Sequence, residues 1–427
     1  MKRNLDELRL FGGEPVFAEK HHVGRPNIGD RQRLHERLDE MLDRKWLSNN
    51  GPFVKEFERR IAEYAGVKYC AAICNGTVAL EILARALGLT GEVIVPAFTA
   101  AATPHSLQWQ QITPVFCDIK ADTHAIDPDR VEELITPRTT GILAVHIWAQ
   151  PCEIKRLQEI ADRNNLKLIF DACHAFACTY RGRMIGNFGE AEVLSFHATK
   201  FLNSFEGGAV LTNNDELATR VHAMAQYGMC GEENVISVGI NGKMTEMSAA
   251  MGLTSLESID GIIAANYRNY KEYQRQLADL PGVRLLALDE TEKSNYQYIV
   301  VEVDGRVAGI SREAVITVLR AENVLARRHF CPGCHNMEPY KSRFPTLGRR
   351  LPVTNGVVQR MMTLPSGTAV SQNDVAEICQ IIRLVVKHAA EVTDRLVRDK
   401  TIEILPVFNV DSAPSEAGCP KQRDAAA

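Results

Sequence analysis

The stretch EVLSFHATKFLNSFEGGAVLTNN, residues 192–214, sets two short β-rich runs, EVLSFH and GAVLTN, on either side of one lysine, Lys200, and a Gly-Gly pair. A lysine ending such a run ordinarily reaches solvent along its aliphatic stem or pairs with a carboxylate. Its functional alternative is a desolvated amine with a lowered pKa, suited to forming a covalent imine. Which reading holds depends on what the rest of the chain places beside it.

Further β-rich runs precede it: EVIVPA, TPVFCDI, GILAVHIW and LKLIFDA. Amphipathic helical stretches such as EFERRIAEYAGV, TVALEILARALGL and CEIKRLQEIADRNN are interspersed with them, so a mostly parallel α/β sheet covered on both faces is expected. After a long helical region the pattern changes to a strand, YQYIVVEVD, and helices SREAVITVLRAEN and DVAEICQIIRLVVKHAA. That implies a smaller α+β domain. The division expected is an N-terminal arm at 1–50, a large domain at 51–265, a small domain at 266–400 and a mobile tail at 401–427, whose Ser, Pro and Ala content shows no apolar period.

The 427 residues are 45% hydrophobic and 24% charged, with a net charge of -4, so binding to nucleic acid through phosphate contacts has little support. No apolar run approaches the roughly 20 residues of a membrane-spanning helix, and MKRNLDELRL carries no signal-peptide pattern, so a cytoplasmic protein is expected. Eleven cysteines, an odd number, read as reduced thiols. Cys331 and Cys334 form a CxxC flanked by His329 and His335, but a closed zinc site wants four well-spaced ligands, and no bound metal is expected.

Three features bear on one chemistry. Asn75-Gly76-Thr77 lies between a strand end and a helix start, where free amides and the helix dipole favour a phosphate, although such a turn also occurs as a plain N-cap. Asp171 ends LKLIFDA, at the carboxyl edge of the sheet, where open α/β folds bind ligands; a surface turn is its bland reading. Lys200 ends the following run. Pyridoxal 5′-phosphate (PLP) needs such groups together: an amine for its aldehyde, a carboxylate for its pyridine nitrogen and a cradle for its phosphate.

The ordered motifs CNGTVAL, VPAFTAAAT, TPVFCDI, VHIWAQPCEI, FDACHAFACTYRGRMIGNFGEAEVLSFHATKFLNSFEGGAVLTN and GINGKMTEMSAAMG resemble those of the DegT/StrS-type nucleotide-sugar aminotransferases over roughly residues 45–390. The resemblance implies an aspartate-aminotransferase-like, fold type I architecture. It makes Lys200 the Schiff-base lysine and Asp171 the partner of the pyridine nitrogen. Gly76, Thr77 and Ser195 would hold the phosphate, and His174 would sit near the ring hydroxyl. Asn241 would reach the phosphate of a neighbouring subunit, which implies a homodimer with shared sites; as part of Asn-Gly it also reads as a turn residue.

Two positions depart from the family pattern. Ala100 stands where an aromatic residue commonly stacks on the cofactor, so either Phe98 or another ring takes over or the stack is missing. His174 stands where sugar 3-aminotransferases usually carry Gln, and DA-x-H is more familiar from 4-aminotransferases. Together with HVGRPNIGDR, MLDRKWLSNNGPFV and ARRHFCPGCHNMEPY, it resembles the sugar 4-aminotransferases that make dTDP-4-amino-4,6-dideoxy-D-glucose, with His329 and Phe330 lining the sugar pocket. The activity so implied is transfer of an amine from L-glutamate, leaving 2-oxoglutarate, to C4 of a dTDP-linked keto-sugar through the pyridoxamine form of the cofactor. The alternatives are a 3-aminotransferase, an enzyme acting on another nucleotide-linked keto-sugar or a cyclitol, and a non-catalytic PLP-binding regulator.

Overall fold

The computed structural model describes residues 2–398 apart from residue 232; the tail expected at 401–427 lies outside the described residues. Seven strands form the main sheet: β1 (Tyr69–Ile73), β2 (Glu92–Pro96), β3 (Thr113–Cys117), β4 (Thr139–Val145), β5 (Lys167–Asp171), β6 (Ala191–Ser195) and β7 (Gly208–Thr212). Their order is β1-β7-β6-β5-β4-β2-β3. Runs such as Val93-Ile94-Val95 and Ile142-Leu143-Ala144 are buried on both faces, as a sheet between two helical layers requires. Helices Gly76–Ala86, Ala102–Trp109, Pro128–Glu133 and Ile154–Asn164 make the crossovers between successive parallel strands.

β7 alone runs antiparallel to its neighbours, β6 and β1. The connection from β6 to β7 contains no helix, and a parallel return would need a longer crossover. This reversal has a consequence at the site. Gly208, the first residue of β7, stands opposite Ser195, the last of β6, and Ile73, the last of β1. Asp171 ends β5 next door, so its carboxylate and the Ser195 hydroxyl open onto one edge.

A second sheet, β8 (Val283–Leu285), β9 (Ile299–Val303) and β10 (Met361–Leu364), is antiparallel and packs with helices Arg312–Ala321 and Gln372–Lys387. Helix Ile259–Leu277 runs unbroken from the first unit into this one. Leu5, Leu8 and Phe17 are buried in the second core, and His21–His22 pairs with Val324–Leu325, so the N-terminal segment is stitched to the smaller unit. Helix Arg31–Arg44 instead packs on helix Glu246–Glu257 of the larger one.

Candidate active site

The cradle is made mostly of backbone. Asn75 caps helix Gly76–Ala86 from an extended conformation, its side chain accepting the Val78 N–H at 2.9 Å. The Gly76 and Thr77 N–H groups, in the first turn, have no intrahelical acceptor. A Cβ on Gly76 would stand 3.1 Å from Ser195 Cβ and 3.3 Å from Cys173 Sγ; one on Gly208 would meet the Asn75 carbonyl carbon at 2.5 Å and the Gly76 nitrogen at 2.6 Å. Gly208, unassigned from sequence, is therefore what lets β7 approach the helix start. Gly76 and Ser195 come together at the helix N-terminus, with Thr77 next in its first turn, a setting that suits an anion.

Asp171 is buried, with Oδ2 accepting the Thr103 hydroxyl at 2.8 Å and Oδ1 accepting the Cys173 N–H at 3.1 Å. Thr103 in turn lies 3.0 Å from the Thr99 hydroxyl. These bonds fix the plane of the carboxylate while each oxygen keeps a lone pair. Lys200 Nζ donates to Tyr298 Oη at 3.4 Å. The expectation of a lowered lysine pKa is corrected here. Burial, the largest single influence, does pull the ammonium down, but Tyr298, Cys173 and Asp171 together outweigh it and leave Lys200 above its ordinary value. Burial likewise pushes the Tyr298 phenol and the Cys173 thiol up.

Around these groups stands a wall of rings. His174 lies 4.3 Å from Tyr298 and 5.7 Å from Trp148, centroid to centroid; Trp148 stacks against Phe330 at 5.2 Å with planes 25° apart. His329 meets Trp148 and Tyr298 edge-on and holds Thr363 Oγ1 at 2.7 Å through Nδ1. Burial keeps both imidazoles neutral, His329 falling to about 3 and His174 well below its usual value. Phe98 is fully buried and meets Phe330 edge-on at 5.4 Å, so a ring from the Ala100 motif does enter the wall.

Sequence reasoning did not single out Trp148 or Tyr298. Trp148 follows β4 with φ 60°, a left-handed conformation costly for a bulky residue and a mark of a site under constraint. Its indole Nε1 donates to His124 Nδ1 at 3.2 Å, and His124 Nε2 meets Glu302 Oε1 at 2.7 Å. Glu302 also receives Arg284 at 2.7 Å and Arg360 at 3.3 Å. This buried chain ties the indole to β9 of the second unit. Asn241, by contrast, is exposed and bridges Gln226, and among the described residues it forms no hydrogen bond to Lys200, Asp171 or Ser195. Cys334 donates its thiol to the Thr99 carbonyl at 3.1 Å, and burial pushes it up to about 12, which suits a packing role.

The glycine-lined cradle, the oriented carboxylate and the half-buried lysine fit PLP and define the class as a fold type I PLP-dependent aminotransferase. Residues 29–383 match the model of the DegT/DnrJ/EryC1/StrS aminotransferase family, and the chain belongs to that family of sugar aminotransferases. It is 33% identical over 368 residues to the dTDP-4-amino-4,6-dideoxy-D-glucose transaminase of Escherichia coli, covering 84% of this chain and 97% of that one. It is 35% identical over 323 residues to the GDP-perosamine synthase of Caulobacter vibrioides, covering 74% and 86%. Among solved structures it resembles DesI in the presence of its TDP-sugar product, with 46% identity, a TM-score of 0.87 and coverage of 92% and 99%.

Proposed function

We propose that this enzyme converts dTDP-4-keto-6-deoxy-D-glucose to dTDP-4-amino-4,6-dideoxy-D-glucose with L-glutamate as amino donor, in deoxyamino-sugar biosynthesis for a natural product such as an antibiotic or for a glycan. The observation that carries this reading is the joint likeness to a transaminase of that name and to DesI with its TDP-sugar product. The second reading, a GDP-linked keto-sugar as acceptor, is favoured by the likeness to GDP-perosamine synthase. Incubation of the PLP-loaded protein with glutamate and either nucleotide keto-sugar, followed by NMR of the product, decides between them. An amine at C4 of the dTDP-sugar is expected; amination of the GDP-sugar alone, or at C3, would replace the first reading.

When bound, PLP supplies the aldehyde through which the amine is carried and a ring that draws electrons from the reacting carbon. Gly76 and Thr77 would donate N–H groups to its phosphate and Ser195 a hydroxyl. Asp171 would hold a proton on the pyridine nitrogen, with Thr103 and the Cys173 N–H fixing the carboxylate that does so. The amine of Lys200 would take the proton from Cα of the donor and return one to C4 of the sugar. Tyr298, beside that amine, orients it. His174 would lie by the ring hydroxyl, and Trp148, His329 and Phe330 exclude water from the face where the sugar enters.

A homodimer with shared sites belongs to the same proposal. What supports it is the exposure of the large apolar side chains Tyr227, Ile236, Val238 and Met247 in the segment around the exposed Asn241, and of Trp46 and Leu47, whose carbonyl accepts the Glu246 N–H. Sedimentation equilibrium is expected to return twice the chain mass. The cytoplasmic assignment is supported by the described cysteines, all ten of which are free thiols. Among the described residues no helix is long and apolar enough to cross a membrane.

A further inference from the structure

A small pocket beside Tyr298 contains none of the cradle residues. It lies between Gly24 and Asn27 of the N-terminal segment, Thr199 next to the lysine, and Gln297, Tyr298 and Ser366, which flank β9 and β10. Its walls are held in place. Asn27 donates to the Phe201 carbonyl at 3.1 Å and accepts the Thr368 hydroxyl at 2.8 Å, while Asn203 donates to the Asn27 carbonyl at 2.8 Å. Gly24 has φ 75°, and a Cβ there would stand 3.0 Å from Thr199 Cβ, so the segment settles on Thr199 because it carries no side chain at that point.

Hydrogen-bond accounting around this pocket does not close within the described residues. The Lys200 ammonium can only donate, so the bond at 3.4 Å runs from Nζ to Tyr298 Oη, and the phenol's own hydrogen has no acceptor among the described residues. Gln297 Nε2 donates to the Thr199 carbonyl at 2.7 Å, which fixes the orientation of the amide and leaves Oε1 as a buried acceptor with no donor. Ser366, 8% exposed, likewise buries its Oγ with no partner. One hydrogen without an acceptor and two oxygens without a donor therefore belong to residues around one pocket, which has about 20 Å³ of room for a water's centre. A buried water needs about 10–15 Å³ of such room and two to four polar partners. A single water that accepts from Tyr298 and donates to Gln297 and Ser366 satisfies all three groups.

We propose that this pocket is a water site, and that Lys200, Tyr298 and the water form the path along which the proton held by Lys200 exchanges with solvent. In one concerted step the ammonium passes a proton to Tyr298 Oη and the phenol passes its own to the water. The water releases one toward solvent at Arg25, an exposed residue that also lines the pocket. The lysine is left as the neutral amine and the phenol is restored; the reverse step returns a solvent proton. This rests on the aminotransferase reading above, in which the proton comes from Cα of the donor.

The water is tested by a crystal structure of the parent protein at a resolution that orders solvent. A water within ~3.2 Å of Tyr298 Oη and of Gln297 Oε1 or Ser366 Oγ is expected; a dry pocket, or a water out of reach of Tyr298, would overturn the site. The path is tested by NMR on the PLP-loaded enzyme at equilibrium with glutamate and 2-oxoglutarate in deuterium oxide. The readout is the ratio of Cα-hydrogen exchange with solvent to carbon-label exchange between the two acids, which a general loss of activity does not move. For Ser366→Val, which fills the pocket, and Tyr298→Phe, which breaks the path, this ratio is expected to fall about 10-fold, the worth of one hydrogen bond. Absence of label exchange in the parent would remove glutamate as donor and the path with it, whereas an unchanged ratio in either variant would overturn the path alone.

Discussion

The cradle and the ring wall share one sheet edge but are made of different material. The cradle is local and backbone-built: a cap, a helix start, and two strand ends held together because Gly76 and Gly208 have no side chain. The wall is assembled from side chains far apart in sequence: Phe98 and Trp148 from the first unit, Tyr298, His329 and Phe330 from the second. A group recognised by backbone amides needs only the right turn, whereas a shaped apolar face needs two units docked in register. Lys200 sits between them, its amine bonded to the wall through Tyr298 and facing Asp171 at the sheet edge.

Removing the residue that joins the two regions has the largest expected effect. Lys200→Ala should show no measurable sugar transamination, a loss beyond the roughly 10²–10⁴ that a positioned base contributes; turnover near the parent's would end its assignment.

The next contrast is acid. Burial works to raise the Glu302 carboxyl, but the His124 hydrogen bond, Arg284 and Arg360 outweigh it and hold it at about 2. A depressed folded pKa stabilises above the ordinary carboxylate range, and that stability is lost as pH falls from about 4.5 toward 2. The contribution is about 3 kcal/mol. Thermal unfolding followed across that window should fall more steeply for the parent than for Glu302→Gln; parallel profiles would show that this chain from the wall does not carry acid stability.

Gly208→Ala probes the cradle. With 2.5 Å to the Asn75 carbonyl carbon, a methyl group must push β7 and the helix start apart. Overpacking of this kind costs about 1–3 kcal/mol, and PLP titration of the apoprotein should show it as weaker binding, with the stacking of the wall rings retained. The smallest effect is expected from Trp148→Phe, which keeps a ring but loses the bond to His124. About 1 kcal/mol should be missing from the sugar half-reaction, with PLP affinity unchanged; weaker PLP binding would show that wall and cradle are not separable.

The sequence reading named the Asn-Gly-Thr turn of the cradle from local pattern, and His174, His329 and Phe330 of the wall only through the resemblance. A strand-end Asp171, a strand-end Lys200 and an Asn-Gly-Thr turn each carry their meaning within a few residues, because hydrophobic period and cap chemistry are local. His329 and Phe330 were placed by resemblance and do meet Trp148 in the fold. Trp148 itself gave a weaker signal, a tryptophan just after an apolar run. Tyr298 gave none, because what distinguishes it is its place just ahead of β9 beside the Lys200 amine.

By itself, the sequence determined the α/β alternation, the family and the chemical groups available, since those follow from side-chain type and spacing. Only the tertiary structure decided that β7 reverses to bring Gly208 against the helix start. It also decided the direction of the Lys200 pKa. Burial alone would have lowered it, but the outcome belongs to the balance between desolvation and the groups that the fold gathers around the amine, and spacing along a chain does not encode that balance.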